Sequence, residues 1–218
     1  MSESPQQTTL GDLVECDLVI ESVVEDLAVK LPLFAELDSI CKPEAILATN
    51  TSTLPVIEMA MATDRPDQVC GVHFFNPAPM MSLVEVIEPL TASEATIASA
   101  IAFAEACGKS PVRVKDRAGF IVNALLFPYL NNAARMLENG TATAEDIDEA
   151  MKGGCNFPMG PLALLDLVGL DTSVSILDAL YDEFKDPNYA AVPSLRRMVS
   201  AGRLGRKSGA GFYDYSRK

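Results

Sequence analysis

The sequence is poor in positive charge and in histidine, and both shortages exclude classes of function. Among its 218 residues, 17 are Lys or Arg and 30 are Asp or Glu, so the formal net charge is −13. Nucleic acids and anionic membranes are bound by basic surfaces, and we therefore expect neither as a partner. A small anionic ligand held by a few local cations is compatible with this charge. His73 is the one histidine in the chain.

Cysteine is also scarce, and its spacing argues against disulfides and metal sites. The five cysteines form no C-x-x-C pair, and a single histidine is too few to complete a usual metal site with them. An odd number of widely spaced cysteines favours reduced thiols. The polar start, "MSESPQQTT", lacks the apolar core of a signal peptide, and no apolar run is long enough to span a bilayer. We expect a cytoplasmic protein without a bound metal.

Two patterns follow one another along a chain of ordinary globular composition, with 49% hydrophobic and 22% charged residues. In the first half, short apolar runs alternate with segments of helical periodicity, which predicts an α/β domain with a mainly parallel, doubly wound (Rossmann-type) sheet. The expected strands are 16–22, 45–50, 68–75, 82–88 and 110–116, and the expected helices are 26–41, 55–62 and 93–108. From about Asp116 onward the pattern is helical throughout, at 119–140, 143–151, 160–171, 172–184 and 193–205. We therefore expect an α/β domain over 1–116 and an all-α domain over 117–218.

The first strand raises a question about the sheet. "CDLVIES", at 16–22, is mostly apolar, like a central strand that is covered on both faces. Nothing before it in the sequence has strand character, so we expect an incomplete sheet whose first edge is unpaired. An unpaired apolar edge favours association with another chain.

A single carboxylate interrupts the apolar strand "SLVEVIE" at 82–88, where Glu85 lies between apolar residues on one face and the other face is apolar as well. An ionised carboxylate buried without a partner costs several kcal/mol. His73 lies in the preceding strand, and a carboxylate bonded to one imidazole nitrogen fixes the tautomer and makes the other nitrogen a better base. Spacing alone favours a structural histidine with Glu85 paired elsewhere, so both interpretations stay open at this point.

Segments spread along the chain share a pattern with one enzyme family. They are "DLVIESVVED" (17–26), "ATNTSTLPV" (48–56), "VHFFNPAPMMSLVEVI" (72–87), "DRAGFIVNALLFPYLNNAARMLENG" (116–140), "PMGPLALLDLVGLD" (158–171) and "GRKSGAGFYDY" (205–215). In this order they resemble the L-3-hydroxyacyl-CoA dehydrogenase family, in its bacterial 3-hydroxybutyryl-CoA dehydrogenase form. The resemblance implies an NAD-dependent oxidoreductase of fatty-acid β-oxidation that interconverts a 3-hydroxyacyl-CoA and a 3-ketoacyl-CoA. It also implies a homodimer formed through the helical domain.

The resemblance assigns catalytic roles to four residues. His73 would be the general base that takes the proton of the 3-hydroxyl group, and Glu85 would orient its imidazole. Ser52 would hold the substrate oxygen, and Asn123 would contact the substrate near the reacting carbonyl.

The resemblance also implies that Glu25, Lys30, Asn50 and Ser52 contact the cofactor. Doubly wound sheets bind ligands beyond the carboxyl ends of their strands. Glu25 follows the first expected strand, and Asn50 ends the second. Two other interpretations stay open: the residues from Asn50 to Ser52 would form only a capping turn, and Lys30 would lie on a solvated helix face.

Toward the end of the chain, the glycines of "GRKSGAGFYDY" suit tight turns and predict a structural role. A basic cluster nearby would help to attract an anionic CoA ester, although a solvated helix face is the commoner reason for such a cluster. Its members are Arg196, Arg197, Arg203, Arg206 and Lys207.

One motif of the family does not occur in these 218 residues. It is the G-x-G-x-x-G turn that cradles the cofactor pyrophosphate, and "GAG" at 209–211 lies at the wrong end of the chain. The resemblance thus covers the second part of the nucleotide domain and the whole helical domain. We expect the chain alone to bind NADH weakly, and micromolar binding in a calorimetric titration would contradict this. The choice between NAD and NADP stays open, because the segment that reads the ribose is missing as well.

Two further functions stay open from the sequence. The chain would be a non-catalytic remnant whose helical half is a dimerisation module, or a related dehydrogenase that acts on a free hydroxy acid of the gulonate type.

Overall fold

The computed structural model describes residues 9–216, which form two compact units divided between Phe120 and Ile121. The first unit contains the sheet and three α-helices, and the second contains helices with short connections. This confirms the prediction of an α/β part followed by a helical part. None of the helices within residues 9–216 combines the length and the apolar character that crossing a membrane requires.

The sheet of the first unit has five strands, and their spatial order follows the chain. The strands are β1 (Leu18–Glu21), β2 (Ile46–Thr49), β3 (Val69–Phe74), β4 (Leu83–Glu88) and β5 (Ser110–Lys115). All neighbouring strands pair in parallel except β3 and β4, whose connection is too short for a parallel crossover. The prediction of a mainly parallel sheet is confirmed. Within the described residues β1 lies at the edge of the sheet, as the sequence predicted.

Helices cover both faces of this sheet. They are α1 (Leu27–Ile40), α2 (Val56–Ala60) and α3 (Glu94–Ala106). Phe34 of α1 and Met59 of α2 share one buried cluster with Leu47, whereas Ile97 of α3 packs with Val72 in a second cluster. The helix α1 begins at its cap Asp26, whose carboxylate accepts a hydrogen bond from the Ala28 N–H (2.8 Å), and Pro32 lies inside the helix without delaying its start.

The second unit contains five α-helices in residues 121–216. They are α4 (Val122–Glu138), α5 (Ala144–Cys155), α6 (Pro161–Val168), α7 (Leu170–Phe184) and α8 (Pro193–Ser200). Thr143 caps α5, and its hydroxyl accepts a hydrogen bond from the Asp146 N–H (3.1 Å). Fully buried leucines of α4, α6 and α7 form the core, among them Leu130, Leu165 and Leu177.

Two buried carboxylates fasten the closing segment to this unit. Asp166 accepts hydrogen bonds from the Phe212 N–H (2.9 Å) and the Tyr213 N–H (3.0 Å), and Asp148 accepts one from the Tyr213 hydroxyl (2.8 Å). A Cβ atom on Gly211 would lie only 1.9 Å from the Asp166 Oδ1, so this close approach requires glycine. The segment "GRKSGAGFYDY" therefore has the structural role that its glycines predicted.

Candidate active site

His73 and Glu85 lie directly opposite each other in the antiparallel pair β3–β4. The His73 Nδ1 is 2.9 Å from the Glu85 Oε2, and the two residues are 5% and 1% exposed. Because an ionised carboxylate only accepts hydrogen bonds, Nδ1 donates its proton to Glu85. In the neutral imidazole Nε2 is then left as the acceptor. The carboxylate that interrupts the apolar strand is thus paired with the one histidine of the chain.

Ser52 lies on the other side of the imidazole, so that Glu85, His73 and Ser52 form a line of contacts. Its Oγ is 3.1 Å from the His73 Nε2, so the hydroxyl can donate a hydrogen bond to that nitrogen. An alcohol oxygen that contacts Nε2 would also be within reach of the Ser52 hydroxyl. The structure therefore brings together three of the four residues that the resemblance named as catalytic.

Two aromatic rings pack against the imidazole, and the sequence reasoning missed both. The ring centroid of Phe75 lies 4.6 Å from that of His73, and the ring centroid of Phe120 lies 5.6 Å from it in an edge-to-face arrangement. Phe120 has a positive φ of 49°, a left-handed conformation that costs a residue with a Cβ atom about 1 kcal/mol. No sequence signal marks this conformation, because glycine is the residue that usually adopts it.

The turn after β2 holds Ser52 in place through Glu25. The Glu25 Oε1 accepts hydrogen bonds from the Thr51 hydroxyl (2.5 Å), the Ser52 N–H (2.8 Å) and the Thr53 N–H (3.2 Å). The Thr51 hydroxyl oxygen in turn accepts a hydrogen bond from the Leu54 N–H (2.9 Å), so the local turn that the sequence left open as an alternative is present. The segment that forms this turn is also the one that carries Ser52 to His73.

Asn50 connects the end of β2 to β3. Its Oδ1 accepts a hydrogen bond from the Phe74 N–H at 2.8 Å, next to His73. The side chain therefore helps to fix the backbone beside the imidazole. Its contact with a cofactor stays a prediction.

Lys30 lies inside the first unit, with 1% of its surface exposed. The alternative interpretation of Lys30 as part of a solvated helix face is therefore wrong. Its Nζ is 2.8 Å from both carboxylate oxygens of Glu21 and 3.4 Å from the Glu25 Oε2. The sequence reasoning missed Glu21, although this residue ends an apolar strand and shows the same signal as Glu85.

Asn123 belongs to the second unit. It lies in the first turn of α4 and is 7% exposed. Its contact with the substrate stays a prediction.

The basic residues near the end of the chain are largely engaged within the second unit. Arg196 pairs with Asp178, Lys207 pairs with Asp171, and the Arg203 side chain donates to the Gly211 carbonyl. These contacts argue against the cluster as a site for an anionic ligand, because these side chains already have partners within the unit.

Residues 9–216 contain no group of three or more His, Cys, Asp or Glu side chains that could hold a metal ion. The five cysteines are all free thiols in this structure.

Comparison with known proteins relates both units to one family. The sequence model "3-hydroxyacyl-CoA dehydrogenase, NAD binding domain" matches residues 1–117, and the model "3-hydroxyacyl-CoA dehydrogenase, C-terminal domain" matches residues 119–215. The chain belongs to the 3-hydroxyacyl-CoA dehydrogenase family. The family resemblance inferred from the sequence motifs is confirmed.

Individual members of the 3-hydroxyacyl-CoA dehydrogenase family are similar over almost all of this chain. A 3-hydroxybutyryl-CoA dehydrogenase of Mycobacterium tuberculosis is 54% identical over 95% of this chain and 73% of its own length. The crystal structure of M. tuberculosis FadB2 superimposes with a TM-score of 0.94 at 54% identity, covering 96% of this chain and 74% of that one. The (S)-3-hydroxybutyryl-CoA dehydrogenase PaaH1 of Ralstonia eutropha gives a TM-score of 0.94 at 44% identity, covering 97% and 75%.

Proposed function

We propose that this chain is an oxidoreductase that interconverts a 3-hydroxyacyl-CoA and the corresponding 3-ketoacyl-CoA, with NAD as the cofactor. The observation that carries the proposal is the line of contacts from Glu85 through His73 to Ser52, which leaves Nε2 as an acceptor beside a hydroxyl group. Membership of the 3-hydroxyacyl-CoA dehydrogenase family supports the substrate class. The names of the two bacterial 3-hydroxybutyryl-CoA dehydrogenases favour a four-carbon acyl chain.

In the proposed mechanism His73 moves the proton. In the oxidative direction its Nε2 takes the proton of the 3-hydroxyl group, and the negative charge of Glu85 stabilises the imidazolium that forms. In the reductive direction the imidazolium returns this proton to the 3-keto oxygen. The Ser52 hydroxyl holds the same oxygen in both directions, and Asn123 contacts the substrate near the carbonyl. When bound, NAD supplies the acceptor for the hydride from the 3-position.

The residues at the carboxyl ends of β1 and β2 fit a nicotinamide nucleotide. This is the edge at which doubly wound sheets bind ligands, and it carries Glu25, Asn50 and Ser52. Val24, next to Glu25, is 66% exposed and adds an apolar surface beside these polar groups. We propose that Glu25, Asn50 and Ser52 hold the cofactor. Lys30 was expected to contact the cofactor as well, but it is buried beside Glu25, and we propose that it supports Glu25 instead. The description of the matched domain as NAD-binding favours NAD over NADP.

We further propose that the chain forms a homodimer through its helical unit in the cytoplasm. Apolar side chains of this unit support the dimer, since Leu125, Leu167 and Met136 are 72%, 48% and 45% exposed. The free state of the five cysteines supports a reducing compartment.

The proposed reaction is tested by following the oxidation of NADH with acetoacetyl-CoA. We expect turnover that depends on His73, with His73→Ala lowering it by about 10³-fold or more. Glu88→Gln changes a carboxylate of the same sheet that does not belong to the contacts from Glu85 through His73 to Ser52, and it should keep the wild-type rate. Equal rates for the wild type and His73→Ala would contradict the proposal. Absence of turnover in a stably dimeric wild-type chain would instead favour the dimerisation module.

A further inference from the structure

A second group of charges lies behind the turn that carries Ser52. Glu21 is the last residue of β1, and both of its carboxylate oxygens are 2.8 Å from the Lys30 Nζ. Glu21 is 5% exposed and Lys30 is 1% exposed. A buried ammonium group is costly unless it is paired and hydrogen-bonded, so this ion pair fixes the position of Lys30.

Glu21 is itself held from two further directions. Its Oε2 accepts a hydrogen bond from the Thr49 hydroxyl (2.8 Å), and its Oε1 accepts one from the Val23 N–H (2.5 Å). Thr49 is the register partner of Glu21 at the carboxyl end of β2. The carboxylate therefore has a single arrangement that joins β1, β2 and α1.

Lys30 also touches the second carboxylate, Glu25, but at a longer distance of 3.4 Å from the Oε2. The Oε1 of Glu25 is the atom that holds the turn from Thr51 to Thr53. The Glu25 side chain is 39% exposed and has room to move. The Glu21 side chain is almost fully buried and has none. If Glu21 lost its charge, the buried Lys30 would draw Glu25 inward and away from the turn.

We propose that Glu21 is a positioning residue for the site: by occupying Lys30 it keeps Glu25 on the turn and so keeps the Ser52 hydroxyl against His73. The proposal rests on the proposed function, because a misplaced Ser52 affects turnover only if the site performs this reaction. Its structural half does not, since the order of the turn can be measured without turnover.

The first test measures amide hydrogen exchange in the full chain. In Glu21→Gln we expect the Ser52 and Thr53 amides, which donate to Glu25, to exchange about tenfold faster than in the wild type. The amides of Val72 and Val86, in the middle of β3 and β4, should stay within about twofold. Unchanged exchange at Ser52 and Thr53 would overturn the proposal, and so would an equal acceleration at all four positions.

Turnover supplies the second readout. In the NADH–acetoacetyl-CoA assay we expect Glu21→Gln to lower kcat about tenfold or more with little change in the KM for the acyl-CoA, because the reacting oxygen loses its alignment. Normal kcat together with a disordered turn would overturn the link to catalysis. Loss of the His73 dependence itself would instead overturn the proposed function and leave the exchange result valid.

Two further variants guard against a simple loss of folding. Thr49→Val removes the hydrogen bond that the Thr49 hydroxyl donates to Glu21 and the one that it accepts from the Thr51 N–H (3.2 Å), while Glu21 keeps its charge. We therefore expect faster exchange at Thr51 itself and only a small acceleration at Ser52 and Thr53. Asp17→Asn removes the partner of Lys42 just before β1, where the pair is exposed, and should change neither readout. Accelerated exchange at Ser52 in Asp17→Asn would show that any charge change near β1 has this effect and would overturn the specific role of Glu21.

Discussion

Glu85 faces His73 across the β3–β4 ladder, with its Oε2 2.9 Å from the imidazole Nδ1 and both side chains almost fully buried. The alternation of the two strands explains this geometry. Ile87 and Val84 belong to buried clusters on opposite faces of the sheet, and Glu85 lies on the Ile87 face. A shift of one residue in the register would remove the carboxylate from the histidine and bury its charge without a partner.

Glu85→Gln is expected to lower kcat/KM by roughly 10²–10⁴-fold. The amide keeps the shape of the side chain and can still accept from Nδ1, but it no longer stabilises the charge of the imidazolium. The steady-state rates of NADH oxidation with acetoacetyl-CoA measure the effect. Glu88→Gln, on the same strand, is the matched control, and an equal loss in both variants would contradict the specific role of Glu85.

Two glycines of the second unit are expected to respond in opposite directions to alanine. Gly211→Ala should destabilise the protein by about 3 kcal/mol or more, because its Cβ would overlap the buried Asp166 carboxylate. Gly153→Ala should stabilise it by roughly 0.5–1 kcal/mol, since Gly153 lies within α5 and its Cβ would meet no atom within 4 Å. Urea denaturation measures both changes in the free energy of unfolding. Equal changes in the two variants would show that a Cβ atom at Gly211 fits beside Asp166 without strain.

The ion pairs of Glu88 are expected to add stability that depends on pH. Hydrogen bonds from Arg113 and then from Lys115 lower the pKa of Glu88 from 4.5 to about 2. A carboxyl group whose pKa is depressed by folding contributes stability that is complete above its unfolded pKa and is lost as the pH falls through the folded value. The difference in Tm between the wild type and Glu88→Gln should therefore be constant at neutral pH and shrink between about pH 4.5 and 2. A difference that grows in this window would contradict the assignment.

Cys70 is expected to resist alkylation in the folded chain. It lies in β3 with no exposed surface, and burial raises the pKa of its thiol to about 12. Cys107 and Cys155 are exposed and should react first with iodoacetamide. Peptide mass spectrometry after brief labelling at neutral pH checks the order, and early modification of Cys70 would show that β3 opens readily.

The sequence predicts those parts of the fold and the site that depend on regular patterns. Short apolar runs between segments of helical periodicity locate the strands. The charge within an apolar strand indicates that Glu85 needs a partner. The family resemblance assigns His73 as this partner, because the spacing alone favours a structural histidine with Glu85 paired elsewhere. The family motifs add Ser52, which is 21 residues from His73 in the chain and 3.1 Å from it in space.

The contacts of Lys30, Glu21 and Phe120 around the site were not predicted, because they depend on tertiary packing and on an unusual backbone conformation. Lys30 precedes Phe34 by four residues and so lies on the buried face of α1. A lysine at such a position usually extends its ammonium group toward solvent, so its residue type gives no sign that the charge is buried. Its partner Glu21 is separated from it by the start of the helix, so their contact depends on how α1 packs on the sheet. Phe120 reaches the imidazole only through a left-handed backbone conformation that its residue type disfavours.

The protonation of the imidazole is the most direct test of the proposed chemistry, and a chain with one histidine makes the measurement unambiguous. Nitrogen-15 NMR of the histidine-labelled protein, at a pH at which the ring is neutral, distinguishes its two nitrogens. We expect a proton on Nδ1, directed at Glu85, and an unprotonated Nε2 beside Ser52, with this preference lost in Glu85→Leu. A proton on Nε2 in the wild type would leave no base for the alcohol and would contradict the proposed chemistry.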